Sequence, residues 1–114
     1  MQYRYDDGVY YEPSNGGYRV VPAPFNAVIP SLPPGFSTVN VGGDNYYYYG
    51  GVFYISMADG YQVVPAPPGA IVSNLPDGCE QIQANGITYL KYNGAYFQPI
   101  QYEGQDVYEV VDME

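Results

Sequence analysis

The 114-residue chain has no His and no Trp, and it has one Cys and three basic residues. Without His, and with Cys79 alone, it cannot build a tetrahedral zinc site or a Cys–His nucleophile pair, and it cannot close a disulfide on itself. Three Lys and Arg residues against twelve Asp and Glu residues give a net charge of −9. That sign disfavours nucleic acid and anionic lipid as partners. We therefore expect no cofactor, no metal and no nucleic-acid partner.

Long helices are also excluded, because 14 Gly and 11 Pro leave residues 105–114 as the one stretch of ten uninterrupted positions. Val and 16 Tyr dominate instead, and both fit the half-buried surface of a sheet. No apolar run is long enough to cross a membrane, so we predict no transmembrane segment. The first seven residues lack the apolar core of a signal peptide, so an extracytoplasmic location would require a signal that has been removed.

What the sequence does contain is an internal repeat. A shift of 43 residues overlays residues 3–43 on residues 46–86 without a gap, with 17 identities in 41 pairs. A third, partial copy follows at the next shift, and about four residues are inserted within it, before its last strand. We predict an incomplete first repeat over 1–43, a second over 44–86, and a partial third over 87–114 with an acidic tail. Units of about 43 residues could hardly bury a core alone, so one compact unit is expected.

Each copy predicts short antiparallel strands and an all-β fold. The Gly50-Gly51 and Asn93-Gly94 pairs are typical of tight hairpin turns. Pro-Ala-Pro ends the last strand of a copy, and the segment after it is expected to cross to the next unit and pack on its sheet. The predicted strands are 37–41, 46–49, 52–55 and 61–64 in the second copy, and 80–84, 88–92, 95–98 and 107–111 in the third.

The tyrosines fall on two faces of these hairpins. Residues flanking a two-residue turn share a face, which predicts a core face with Tyr47, Tyr49, Val52 and Tyr54. The opposite face is aromatic but includes polar residues such as Lys91. It either packs against a crossing segment or a second sheet, or it is exposed as a binding surface. The candidate binding residues are Tyr3, Tyr10, Tyr46, Tyr48, Phe53, Tyr89 and Tyr96.

Carboxylate pairs are the remaining catalytic option. Asp6 and Asp7 are expected in a turn, and an acidic tail runs from Glu103 to Glu114. Glycoside hydrolysis requires two carboxylates at a fixed separation across a cleft, and nothing in the pattern specifies one. Cys79 aligns with Phe36 and fits a small apolar position in the core. We expect no catalytic residue and no enzymatic activity.

Several motifs resemble a known type of protein. They are Gly51-Val52-Phe53-Tyr54, Gly60-Tyr61-Gln62-Val63-Val64-Pro65, residues 69–78 (GAIVSNLPDG) and Tyr92-Asn93-Gly94-Ala95-Tyr96-Phe97. The chain resembles a Tyr/Gly/Pro-rich repeat family of bacterial cell-envelope proteins of unknown function. The resemblance implies an extracytoplasmic setting in the periplasm, the outer membrane or the cell surface, and it brings no known activity.

The resulting expectation is a non-catalytic structural or interaction module of a cell envelope or surface assembly. It would bind a protein partner, or another copy of itself, through its aromatic strand faces. Two alternatives remain open. One is a glycan-binding module that stacks sugars on exposed tyrosines, and the other is a protein of a virion surface.

Overall fold

The computed structural model describes residues 4–6, 9–21 and 24–112, and within these ranges it contains strands and turns but no helix. The strands form three sheets in chain order. The first sheet contains β1 (Arg4–Asp6), β2 (Val9–Ser14) and β3 (Gly17–Val21). The second contains β4 (Val28–Ile29), β5 (Ser37–Val41), β6 (Asp44–Tyr49), β7 (Val52–Met57) and β8 (Gly60–Val64). The third contains β9 (Ile71–Val72), β10 (Glu80–Ala84), β11 (Ile87–Tyr92), β12 (Ala95–Tyr102) and β13 (Gln105–Val111).

All paired strands in the three sheets are antiparallel, which confirms the predicted all-β class. The order in the second sheet is β4-β8-β7-β6-β5, and the order in the third is β10-β11-β12-β13-β9. Each larger sheet is therefore a four-stranded meander with one short strand added beside its last member. The first sheet has the order β1-β2-β3.

The hairpin turns explain the register. Asn93 and Gly94 both have positive φ, at 51° and 81°, as two-residue turns of the primed type require. Gly50 and Gly51 also have positive φ, at 53° and 90°. These turns place Tyr49 opposite Val52, which is the pairing that the sequence predicts.

In the second and third sheets, most predicted strand bounds lie within two residues of those observed, and the last hairpin differs most. β12 continues through Pro99 to Tyr102 instead of ending at residue 98, and β13 begins at Gln105. The residues that the repeat alignment leaves unmatched therefore lie in this longer hairpin, on both sides of its turn. Asp6 pairs with Val9 as the last residue of β1 rather than lying in a turn, and Asp7 is outside the described residues.

The crossing segments contribute β4 and β9, which the sequence did not predict as strands. β4 pairs with β8, and β9 pairs with β13. Each segment therefore completes the sheet of the strands that follow it. β4 falls within predicted repeat 1–43 but belongs to the second sheet, so the sheets do not divide the chain at the predicted boundaries.

Two clusters of buried side chains hold the sheets together. Core 1 joins the first sheet to the second and contains Tyr10, Ile29, Val52, Tyr54 and Val63. Core 2 joins the second sheet to the third and contains Val39, Tyr48, Phe53, Ala70, Val72, Phe97 and Val110. Each fully buried aromatic or branched apolar side chain contributes about 1.5–3 kcal/mol relative to exposure. The second sheet is thus covered on both faces.

The contact between the second and third sheets is close. A Cβ atom placed on Gly51 would lie 2.5 Å from ring carbons of Tyr92 and 3.0 Å from Pro76. A real side chain there would have to displace the tyrosine ring. Glycine at this turn therefore serves the packing as well as the turn itself.

Candidate interaction surface

Three of the predicted binding residues lie in the cores. Tyr10, Tyr48 and Phe53 keep 3%, 2% and 1% of their surface exposed, respectively. They belong to the face that the sequence left open between packing and binding, and here the face packs, because the next sheet and its crossing segment cover it. These three residues are corrected from candidate binding residues to core residues. Tyr46 is half-buried against core 2, and Tyr3 lies outside the described residues.

The hydroxyls of the buried tyrosines form hydrogen bonds within the protein. The hydroxyls of Tyr10 and Tyr54 lie 3.0 Å apart, in a hydrogen bond that connects the first sheet to the second. Tyr48 donates to the carbonyl of Asn74 at 2.5 Å. Burial raises the pKa of all three hydroxyls above the ordinary tyrosine value. They are neutral structural groups rather than reactive ones.

The remaining candidates, Tyr89 and Tyr96, lie on what we name the outer face, the side of the third sheet that points away from core 2. Alternation along the strands places Leu90 and Phe97 toward core 2 and their neighbours on the opposite side. Tyr96 lies between Lys91 on β11 and Val111 on β13, and Tyr89 is opposite Ile82 on β10. The five outer-face residues Ile82, Tyr89, Lys91, Tyr96 and Val111 are half-buried and retain accessible surface.

Charges of both signs accompany these apolar groups. The Lys91 ammonium lies 5.5 Å from the centre of the Tyr96 ring, within the range of a cation–π contact. Glu80 is directly opposite Lys91, and Glu109 is directly opposite Gln98. The outer face therefore combines aromatic surface with one cation and two carboxylates.

An open groove of about 390 Å³ borders this face. Its lining includes Tyr96 and Val111 from the outer face, and Phe25 and Ala66 from two crossing segments. Phe25 is 47% exposed. The groove can accept a side chain from a molecule that packs on the outer face.

No candidate for metal binding accompanies this surface. Among the described residues, no group of three or more His, Cys, Asp or Glu side chains could hold a metal ion. Cys79 is half-buried, its thiol lies 3.2 Å from the carbonyl of Pro76, and burial raises the pKa of the thiol. A raised pKa lowers the thiolate population, so the thiol is a weak nucleophile at neutral pH.

Comparison with known proteins adds one finding. A family model described as a family of unknown function, DUF6515, matches residues 1–114. The chain belongs to DUF6515. No curated protein and no solved structure matches the chain significantly. For this DUF6515 chain, the resemblance to a family of unknown function is confirmed, whereas its repeat nature and its cell-envelope setting stay predictions.

Sequence reasoning missed several members of the accessible surfaces. Ile82 and Val111 complete the outer face of the DUF6515 chain, and the strand pairings that place them there were not worked out from the sequence. Tyr18 and Val20 on β3 are 57% and 67% exposed. The 43-residue alignment matches Val20 with Val63, which is buried, so the alignment alone predicts a buried Val20.

Proposed function

We propose that the protein is a non-catalytic structural module that associates with a second copy of itself through the outer face of the third sheet. One observation carries the proposal. Tyr46 and Phe53 occupy the positions 43 residues before Tyr89 and Tyr96, and they pack into core 2 beneath the third sheet. Tyr89 and Tyr96 have no such cover among the described residues and stay partly accessible.

The chemistry of the outer face suits contact between two copies. Tyr89, Tyr96, Ile82 and Val111 supply apolar area, and aromatic residues are enriched at protein interfaces. When two identical faces meet about a two-fold axis, Lys91 of one copy can approach a carboxylate such as Glu109 of the other. The adjacent groove offers a concave partner for a protruding side chain.

The absence of enzymatic activity is part of the proposal. The described residues include no buried charged side chain. Catalytic sites commonly hold ionisable groups in a cleft with perturbed pKa values, and in the described ranges the raised pKa values belong to tyrosines and to Cys79. These groups are engaged in packing, which supports a structural role.

The setting that we propose is a bacterial cell envelope or a surface assembly, and this rests on the family resemblance. A particle surface is the alternative setting. Glycan binding has less support, because the ammonium of Lys91 covers one side of the Tyr96 ring on which a sugar would stack.

The test is absolute mass by light scattering over a range of protein concentrations. We expect a rise from monomer to dimer in the wild type and a monomer in the Tyr96→Lys variant, which adds a second cation beside Lys91. Met57→Lys is the matched control, because Met57 is 43% exposed on the second sheet, away from the outer face. It should associate like the wild type.

Ionic strength adds a second readout. The net charge of −9 opposes association, and salt screens charges separated by more than about 10 Å at 0.1 M. Association through an apolar face should therefore strengthen with salt. A wild type that stays monomeric at every concentration and salt level, or a Tyr96→Lys variant that associates normally, would contradict the proposal.

A further inference from the structure

The added strands β4 and β9 show how this fold completes a sheet. Asn26 donates its backbone N–H to the carbonyl of Val63, and Val63 donates to the carbonyl of Ala27, both at 2.8 Å. Gly69 and Ala70 make the same two bonds with Val110, also at 2.8 Å. In both larger sheets, a short extended segment therefore pairs with the free edge of the last strand of the meander.

These segments also cover the sheet with side chains at matching positions. Ala27, Ile29 and Leu32 pack into core 1, and Ala70, Val72 and Leu75 pack into core 2. A Pro follows each Leu. The shared pattern is Ala-x-(Ile/Val)-x-x-Leu-Pro. The residue between the Ala and the branched residue points away, as Val28 shows with 48% of its surface exposed.

β3 holds the corresponding place in the first sheet. It is the last strand of that meander, and no described strand pairs with its outer edge. Val20 lies in a row across the sheet with Arg4 and Tyr11, as Val63 lies in a row with Tyr47 and Tyr54. Val63 is fully buried beside β4, whereas Val20 is 67% exposed.

The surface beside this edge is mostly apolar and includes one cation, Arg4. Tyr11 is half-buried, Tyr18 is 57% exposed, and the Arg4 guanidinium lies 5.7 Å from the centre of the Tyr18 ring. An open strand edge beside exposed apolar side chains invites pairing with another extended chain. The two internal examples specify the chemistry of the chain that fits.

We infer that β3 is a strand-addition site for an extended polypeptide segment with the Ala-x-(Ile/Val)-x-x-Leu-Pro pattern, supplied by another chain. The segment pairs antiparallel with β3 through two backbone hydrogen bonds to Val20. Its Ala, branched residue and Leu cover Tyr11 and Val20 as they cover Tyr54 and Val63 in the second sheet. This is recognition by strand addition, in which the backbone provides affinity and alternate side chains provide specificity.

The test uses a synthetic peptide with the sequence of residues 24–34, titrated into the isotope-labelled full chain and followed by amide NMR shifts. We expect saturable shifts centred on β3. The Ile29→Glu peptide should bind at least about tenfold more weakly, because it would bury a charge against the sheet. The Val28→Glu peptide is the matched control and should bind like the parent, because position 28 faces solvent.

A variant of the protein gives the complementary evidence. Val20→Glu alters an exposed residue, so its spectrum should retain the native pattern away from β3, while peptide binding falls at least about tenfold. Shifts centred on β8 would show that the peptide merely replaces β4. That result, an absence of saturable shifts, or equal binding by the two Glu peptides would overturn the inference. The outer face of the third sheet is not involved, so the Tyr96→Lys variant should bind the peptide normally.

Discussion

The hydrogen bond between Tyr10 and Tyr54 connects the first two sheets and gives a measurable energy. Both side chains are buried, with 3% and 0% exposure, and their hydroxyls lie 3.0 Å apart. The Tyr54→Phe change removes one hydroxyl and leaves that of Tyr10 without this partner in the core. A lost hydrogen bond of this kind lowers the free energy of unfolding by about 1–2 kcal/mol. Tyr10→Phe should have a similar effect.

The Tyr10→Phe/Tyr54→Phe double variant separates the energy of the hydrogen bond from the effects of removing each hydroxyl alone. With both hydroxyls removed, no polar group is left unsatisfied, so the combined loss should be smaller than the sum of the single losses by about 1 kcal/mol. The assay is urea unfolding followed by circular dichroism, with the midpoint and the slope compared among the four proteins. Tyr18→Phe, at a residue 57% exposed, is the control and should change stability by less than about 0.5 kcal/mol.

Two results would refute this reasoning. If Tyr54→Phe unfolds at the same urea concentration as the wild type, its hydroxyl is not buried against a partner. If the two single losses add up to the loss in the double variant, the two hydroxyls do not interact, and no hydrogen bond between them connects the first sheet to the second.

Three further predictions concern the cores and the turns. Phe97→Ala empties the centre of core 2 and should lower the free energy of unfolding by about 3–5 kcal/mol, measured by urea unfolding. Gly60→Ala places a Cβ against the carbonyl of Ile29 at a φ of +139°, so it should displace β4 and destabilise the chain by more than about 1 kcal/mol in the same assay. Burial raises the pKa of Tyr48 and Tyr54, so they stay protonated in the folded chain while the unfolded chain ionises near pH 10. Stability should be fully present below that pH and fall above it by up to about 1.4 kcal/mol per pH unit per tyrosine, and a flat profile between about pH 10 and 12 would contradict this.

The local strand structure was predictable because the turn residues set the register of each hairpin, and the register determines which side chains share a face. The Asn93-Gly94 turn requires positive φ at two positions, and this sets the register of β11 against β12. Once Tyr92 is opposite Ala95, Leu90 and Phe97 share a face. The strands 37–41 and 80–84 also match the predicted bounds.

The role of the aromatic face depended on information that the local pattern does not contain. Tyr48 and Tyr96 both sit on the side opposite the predicted core face, and one is buried while the other is partly accessible. The difference arises from which sheet packs on top, which is a tertiary property. β4 and β9 were missed for a related reason, because a two-residue strand pairs through backbone groups and leaves little sequence signal.

Burial of the aromatic faces of the first and second sheets is tested most directly by chemical modification of the tyrosines. The native chain would be treated briefly with a tyrosine-nitrating reagent, and each site would be quantified by mass spectrometry. We predict rapid modification of Tyr18 and Tyr102, which are 57% and 51% exposed, and protection of Tyr10, Tyr48 and Tyr54. Modification of Tyr48 or Tyr54 as fast as that of Tyr18 would contradict the stacked arrangement of the sheets.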